Sequence, residues 1–145
     1  MRYFLDTYAL IEIAEGNSIY RPFIEGDTIT LPDNLAELFY FFLRKYDEKT
    51  AHFFFNKFKR IVTDLPIEII PDAMSFRYTH KKSNYSHIDC LGYIFSLSDD
   101  RIFLTGDRGF LGKKNAKIVR WANLFNLSRK DGMRILKSLF CFPLH

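Results

Sequence analysis

The chain of 145 residues has the length of one compact domain, and its 48% hydrophobic and 26% charged residues are typical of a globular protein rather than a disordered or collagen-like one. The first residues lack the order of a signal peptide, and no apolar run approaches the roughly 20 residues that span a bilayer, so we expect a cytoplasmic protein without membrane contact. The two cysteines, Cys90 and Cys141, form no CxxC motif and no Cys/His cluster at zinc spacing, so they indicate neither a disulfide framework nor a structural metal site. The net charge of +4 favours a polyanionic partner only mildly.

Strands and helices are predicted to alternate along the chain. Short apolar runs indicate five strands, RYFL, TITL, IEII, RIFLT and KIVRW, which begin at residues 2, 28, 67, 101 and 117. Between them, helical patterns cover residues 7–16, 34–46, 51–62 and 86–97. Because strands that alternate with helices favour right-handed crossovers, we predict an α/β fold with a parallel sheet and helices on both faces.

Four acids fall at the ends of these elements. Asp6 ends the first strand, and Asp107 follows the fourth strand within the segment FLTGDRGF. Glu37 and Asp89 are expected in the first turns of the second and fourth helices. In open α/β sheets, ligands bind beyond the carboxyl ends of the strands, and helix N-termini open onto the same edge. We therefore expect the four carboxylates to converge on one crevice.

Converging carboxylates require a reason, because two like charges about 4 Å apart cost roughly 4 kcal/mol at an effective dielectric constant near 20. A divalent cation reverses the sign of that interaction. Oxygen ligands suit Mg²⁺ or Mn²⁺, which keep several waters and share their remaining positions with substrate phosphates. Such an ion activates water and stabilises the leaving oxygen of a phosphodiester. The predicted reaction is hydrolysis of a nucleic-acid backbone.

Each of these acids also has a local explanation. Asp6 can cap the helix that follows it, and Asp107 lies in the turn TGDRG, where an Asp side chain often bonds its own backbone. Glu37 and Asp89 end N-x-x-E and S-x-x-D segments, which match capping boxes. The occurrence of an acid at every position that opens onto one crevice is what favours a site.

Four segments together resemble a known family. FLDTYAL, NLAELFYF, SHIDCLGYIFSL and IFLTGDRGF occur in the order and spacing of a PIN domain, and they look most like VapC-type toxin ribonucleases. The resemblance spans about residues 2–121 and implies a three-layer α/β/α sandwich with a central parallel sheet of about five strands. We assign residues 1–127 to a PIN-like nuclease domain and residues 128–145 to a C-terminal helical tail.

The resemblance also implies a function and a site. It implies an endoribonuclease that depends on Mg²⁺ or Mn²⁺, with the following residues at its centre: Asp6, Glu37, Asp89 and Asp107 as metal ligands, and Thr105 as a hydrogen-bonding support. Two positions depart from the family. Many relatives carry Ser or Asn where this chain has Tyr8, and many carry a further acid where it has Gly109. The affinity for metal and the number of ions therefore stay open.

The aromatic residues point to partners. Tyr40, Phe41 and Phe53 remain outside the predicted buried helix faces, which leaves apolar surface for another protein. In VapC-type toxins the corresponding helical region serves self-association and binding of an antitoxin, so we predict a homodimer and consider a small antitoxin protein as a further partner. The tail is predicted to form a short amphipathic helix that either docks on the domain or contacts a partner.

Two hypotheses from different classes follow. The first is a metal-dependent endoribonuclease, most simply the toxin of a toxin–antitoxin pair, which acts on an RNA substrate. Tyr78 and Tyr85, with nearby lysines, are candidates for stacking on bases and holding phosphates, and a solvated basic surface is the alternative. The second hypothesis is a PIN-like module that binds RNA or protein without cutting. A small-molecule phosphatase fits less well, because the segment DTY lacks a D-x-D arrangement.

Overall fold

The structure, a computed structural model, describes residues 1–119. Its centre is a parallel sheet of four strands, β1 (Arg2–Leu5), β2 (Asp27–Ile29), β3 (Ile102–Thr105) and β4 (Ala116–Ile118), in the spatial order β2-β1-β3-β4. The helices are α1 (Thr7–Ala14), α2 (Arg21–Ile24), α3 (Pro32–Lys45), α4 (Glu48–Phe58), α5 (Ile69–Thr79) and α6 (His87–Ser98). The predicted α/β fold is confirmed.

The two faces of the sheet carry separate hydrophobic cores, because successive strand side chains point to opposite sides. On one side Tyr3, Leu5 and Leu104 pack with residues of α1, α3 and α4. On the other side Phe4 and Phe103 pack with residues of α5 and α6. These two cores make the three layers that the sequence predicts.

A close approach of α6 to the sheet depends on a residue without a side chain. A Cβ atom at Gly92 would lie 2.6 Å from Cε1 of Phe4, well inside van der Waals contact. The ring of Phe4 stacks on Phe103 of the neighbouring strand, with the ring centroids 5.7 Å apart. Gly92 therefore lets α6 pack directly on the aromatic surface of β1 and β3.

One predicted strand is wrong. The run IEII at residues 67–70 is not part of the sheet: Ile67 and Ile70 are largely exposed, and α5 begins at Ile69. The amide N–H of Ile69 donates to the carbonyl of Pro66, and that of Ile70 donates to Ile67, so the chain turns here into the helix. A short apolar run cannot be assigned to strand or helix by periodicity alone. The sheet therefore has four strands rather than about five, and α5 is an element that the sequence did not predict.

Within the described residues, the other predicted elements are present, with small differences in where they begin and end. The third predicted helix ends at Phe58, and Val62 instead pairs with Thr30 in an isolated parallel bridge. Leu43, which the helical spacing of the apolar residues in 34–46 would place on the buried face of α3, is 39% exposed. Strand β4 runs from Ala116 to Ile118 and so begins one residue before the predicted segment KIVRW, whose last two residues lie outside the described part of the chain. The predicted boundary at residue 127 and the helical tail lie outside the described residues.

The amino ends of three neighbouring strands are joined by one ion-pair network. Arg101, almost fully buried before β3, donates to the carboxylate of Asp27 at 3.0 Å and to that of Asp99 at 2.5 Å. Arg2 bonds the same two acids from β1. Hydrogen bonds from Arg101 hold the pKa of both carboxyl groups below the ordinary value of 3.8. The network lies at the edge of the sheet opposite to the one where Asp6 stands.

Within the part of the chain that the structure covers, no helix is both long enough and apolar enough to cross a membrane.

Candidate active site

Asp6 stands where β1 passes into α1 at the carboxyl edge of the sheet. It is the N-cap of α1, with an extended backbone, and its Oδ1 accepts a 2.7 Å hydrogen bond from the amide of Ala9. Its own N–H donates to the carbonyl of Leu104 in β3 at 3.2 Å. The side chain is only 3% exposed. Asp6 therefore does cap α1. A helix cap needs only a hydrogen-bond acceptor, so capping does not explain why a carboxylate is buried here.

The electrostatic setting of Asp6 is unfavourable to that charge. Burial raises the pKa of the Asp6 carboxyl from 3.8 to about 7. Hydrogen bonds from Thr105 and Ala9 act in the opposite direction, and the negative charges of Asp89 and Asp107 raise the pKa further. Asp89 and Asp107 are thus close enough to Asp6 for their charges to affect its pKa.

Thr105 connects two of these acids. It ends β3, is fully buried, and hydrogen-bonds the Asp6 carboxylate. The same hydroxyl oxygen accepts the backbone N–H of Asp107 at 3.0 Å. Asp107 is exposed, and its Oδ1 accepts the N–H of Gly109 at 2.8 Å, which closes a tight turn. Thr105 therefore lies next to both Asp6 and Asp107, and its role as a hydrogen-bonding support of a metal site stays a prediction.

Asp89 reaches the same region from the start of α6. It forms a capping box with Ser86: the Asp89 amide donates to Oγ of Ser86 at 3.0 Å, and the Ser86 amide donates to Oδ2 of Asp89 at 3.2 Å. The Ser86 hydroxyl also donates to Oδ2 at 2.7 Å. These bonds hold the carboxylate by one oxygen and orient it at the helix N-terminus.

The three aspartates border one open cleft of about 400 Å³. Its lining residues are Asp6, Tyr8, Asp89, Gly106, Asp107 and Arg108. The cleft lies beyond the carboxyl ends of β1 and β3, where an open α/β sheet binds its ligands.

Glu37 does not line this cleft, and its predicted position in the first turn of a helix is wrong. Helix α3 begins at Pro32, with Leu31 as its N-cap and no side-chain cap, so Glu37 lies in the second turn. The capping-box explanation fails for the same reason. The exposed Glu37 carboxylate instead accepts the hydroxyl of Thr7, the residue next to Asp6. Glu37 is therefore held beside the cleft through Thr7.

Asn34 completes this side of the site and was not predicted there. It is 1% exposed, and its Nδ2 donates to Oγ1 of Thr7 at 3.1 Å. Its Oδ1 is buried and has no hydrogen-bond partner among residues 1–119. A sequence signal exists, because Asn34 lies four residues before Leu38 on the buried face of α3, where a polar side chain needs a partner.

Tyr8 lines one wall of the cleft. Its ring lies against Gly106: a Cβ atom added there would meet Cε1 of Tyr8 at 2.0 Å. The bare backbone at Gly106 thus makes room for an aromatic ring beside Asp6. Tyr8, which departs from the Ser or Asn of many PIN domains, occupies the cleft as an aromatic wall.

The donor chemistry of the cleft fits a hard divalent cation. Three carboxylates share it. Burial, and to a smaller extent the charges of Asp89 and Asp107, raises the pKa of Asp6, and a bound cation would offset this cost. Across residues 1–119, no three or more His, Cys, Asp and Glu side chains are grouped as a ready-made metal site. An ion that retains several of its waters suits such an open arrangement better than one enclosed by protein ligands.

Comparison with known proteins places the fold. No family model matches the sequence, and no curated protein matches it. Solved structures do match. VapBC2 from Rickettsia felis, bound to a DNA fragment from its promoter, is 15% identical, with a TM-score of 0.67 over 84% of this chain and 100% of that one. The chain has the fold of a VapC-type PIN domain.

Two further PIN-fold structures agree. VapC20 of Mycobacterium tuberculosis, a toxin that cleaves the sarcin–ricin loop, is 14% identical and has a TM-score of 0.62 over 78% of this chain and 97% of that one. A toxin–antitoxin complex from Klebsiella pneumoniae is 13% identical, with a TM-score of 0.62 over 79% of this chain and 95% of that one. The resemblance that the four sequence segments carry is thereby confirmed at the level of fold.

Proposed function

We propose that this chain is a divalent-metal-dependent endoribonuclease that hydrolyses RNA phosphodiesters. The observation that carries the proposal is the buried Asp6 carboxylate, which shares one cleft with Asp89 and Asp107 although their charges repel it. A buried carboxylate with a raised pKa lowers the stability of the fold, and such groups cluster at functional sites. The PIN fold supports the same function, since the VapC20 structure is that of an RNA-cleaving toxin.

The proposed ligands of Mg²⁺ or Mn²⁺ are Asp6, Asp89 and Asp107, with Glu37 beside them at Thr7. When bound, the ion would activate water and neutralise charge on the phosphodiester.

The protein contributes orientation and charge. Thr105 fixes the Asp6 carboxylate and the Asp107 backbone relative to one another. The exposed Arg108 lines the cleft beside Asp107 and is the cation best placed there to hold an RNA phosphate. Tyr8 forms the wall against which the substrate lies.

The proposed biological setting is a toxin–antitoxin pair. The structural neighbours include a toxin–antitoxin complex and VapBC2, and these supply the precedent. On this chain, α3 and α4 leave Tyr40, Leu43 and Phe55 exposed, with Phe41 and Phe53 half-buried beside them. We propose that this surface serves homodimer formation or an antitoxin. Light scattering at micromolar protein should give the dimer mass, and a single species at monomer mass would count against the dimer.

A second candidate is a PIN-fold module that binds RNA or protein without cutting. The observation in its favour is that Asp6, Asp89 and Asp107 each accept backbone N–H groups as local caps. For such a module, the three aspartates would only stabilise the helix start and turns that they cap.

Cleavage assays separate the two. Purified protein and its Asp6→Asn variant are incubated with single-stranded and structured RNA in Mn²⁺, in Mg²⁺ and in EDTA. Asn retains an oxygen that can accept the Ala9 amide, so the cap survives while the charge is lost. The matched control is Asp47→Asn, which changes the equivalent cap of α4, where Oδ1 accepts the Thr50 amide at 2.6 Å.

The nuclease proposal predicts metal-dependent cleavage by the wild type and the Asp47→Asn variant, and a loss of at least a hundredfold with Asp6→Asn. RNA binding without cleavage, equal in all three proteins, would favour the binding module.

A further inference from the structure

Tyr85 belongs to an aromatic stack beneath the candidate site. It is 4% exposed, and its ring stacks on Phe110 with centroids 4.4 Å apart and on Phe76 with centroids 5.7 Å apart. A ring covered in this way cannot stack on a nucleotide base, so the expectation that Tyr85 contacts RNA directly is wrong. Its polar end must serve another purpose.

The Tyr85 hydroxyl holds the turn that carries Asp107. It donates to the backbone carbonyl of Gly109. The N–H of Gly109 in turn donates to Oδ1 of Asp107, and the N–H of Phe110 donates to the Asp107 carbonyl at 3.2 Å. A Cβ atom at position 109 would lie 2.8 Å from Cε1 of Tyr85 and 3.2 Å from Oδ1 of Asp107. Gly109 is thus in contact with both the Tyr85 ring and the Asp107 carboxylate.

The backbone of Tyr85 lies next to the other acid of the cleft. Ser86, which follows it directly, caps α6 and bonds the Asp89 carboxylate. The carbonyl of Tyr85 accepts Nε of Arg77 in α5 at 3.1 Å, which anchors the segment before the cap. Tyr85 is therefore linked to both acids. Its backbone precedes the Ser86 cap that bonds Asp89, and its hydroxyl bonds the turn that carries Asp107.

We propose that Tyr85 is a positioning residue that sets the Asp107 carboxylate relative to Asp89 across the cleft. The proposal rests on the nuclease function proposed above, and it extends that function to a residue outside the acid set. Tyr85 acts through Gly109 and touches neither metal nor RNA. Its hydroxyl supplies the restraint, and its ring supplies the platform on which the Asp107 turn rests.

The Tyr85→Phe substitution removes the hydroxyl and keeps the ring in the stack. Tyr93 offers a matched control: it is 3% exposed, packs against the same Phe76 and Phe110 rings, and donates its hydroxyl to the carbonyl of Lys114 at 2.9 Å. The Tyr93→Phe variant therefore loses an equivalent buried hydrogen bond that has no link to an acid of the cleft.

Two readouts are independent of catalysis. Amide hydrogen exchange at Gly109 and Phe110 reports on the Asp107 turn, and Mn²⁺ titration followed by electron paramagnetic resonance reports on metal affinity. We expect Tyr85→Phe to accelerate exchange at both amides and to weaken Mn²⁺ binding about three- to tenfold, the factor that one neutral hydrogen bond supplies. We expect Tyr93→Phe to change neither quantity. In cleavage assays, kcat should fall for Tyr85→Phe while KM for RNA stays at the wild-type value.

The outcomes separate this proposal from the nuclease proposal. Unchanged exchange at Gly109 and Phe110 in Tyr85→Phe would overturn the positioning role, as would equal Mn²⁺ affinity in the Tyr85 and Tyr93 variants. If the wild type neither binds Mn²⁺ nor cleaves RNA, the nuclease proposal fails. Faster amide exchange confined to Tyr85→Phe would in that case still support control of the Asp107 turn by Tyr85.

Discussion

The burial of Asp6 predicts that this acid destabilises the metal-free protein at neutral pH. Its pKa is about 7 in the folded state and 3.8 in the unfolded chain, so the folded state binds the Asp6 proton more tightly. Stability must then fall as the pH rises from about 4 to about 7, and the full cost is present above that range. A difference of about three pKa units corresponds to at most about 4 kcal/mol, since each unit is worth about 1.36 kcal/mol.

The Asp6→Asn variant removes this cost and keeps a cap acceptor for Ala9. We expect its free energy of unfolding in EDTA to exceed that of the wild type by about 2–4 kcal/mol at pH 8 and by less than about 1 kcal/mol at pH 4.5. Urea unfolding followed by circular dichroism, at several pH values, measures both. Comparison of the two proteins at each pH cancels the titration of all groups that they share.

Metal should reverse the effect. Mg²⁺ or Mn²⁺ that binds only the folded wild type stabilises it in proportion to the logarithm of its concentration, whereas Asp6→Asn should gain little. An Asp6→Asn variant that is less stable than the wild type at pH 8 in EDTA would contradict a net cost of the buried Asp6 charge. Such a result would mean that Asp6 contributes more as a charged cap than its burial costs.

Two other substitutions test the packing of the site and of the opposite edge. Gly106→Ala brings a Cβ atom into the ring of Tyr8 and should lower the free energy of urea unfolding by about 1–3 kcal/mol. This loss should largely disappear in a Tyr8→Ala background. An equal loss in both backgrounds would contradict the contact. Arg101→Gln should lower stability by about 2 kcal/mol at neutral pH and leave RNA cleavage by the folded protein unchanged. Because Arg101 holds the pKa of Asp27 and Asp99 below 3.8, its contribution is present above that pH and is lost as the pH falls below it. The destabilisation by Arg101→Gln should therefore shrink in acid, and a pH-independent difference would argue against the ion pairs.

The sequence predicts the placement of Asp6, Asp107 and Asp89 in the fold and misplaces only Glu37. Asp6 and Asp107 follow apolar runs that form parallel strands, so their position at the carboxyl edge follows from the fold class alone. Asp89 has a capping signal in Ser86 that is local and is confirmed. Glu37 depends on where α3 begins, and Pro32 at the first helical position moves that start away from Asn34.

Long-range contacts could not be predicted from local patterns. The role of Tyr85 depends on a hydroxyl that reaches Gly109, 24 residues away in the chain. The bond between Thr7 and Asn34 likewise spans 27 residues. The strand prediction for the run IEII was wrong for a different reason. A four-residue run with three isoleucines after Pro66 fits a short strand and the start of a helix equally well.

The proposed nuclease function requires a divalent cation in the cleft bordered by Asp6, Asp89 and Asp107. Anomalous diffraction from crystals soaked in Mn²⁺ tests it most directly, with crystals of the Asp6→Asn variant soaked in parallel. We expect an anomalous peak in the cleft, close to the carboxylate oxygens, in the wild type and a weak or absent peak in the variant. A wild-type crystal with no peak in the cleft, or a peak that persists unchanged without the Asp6 charge, would rule out a cation held there by Asp6.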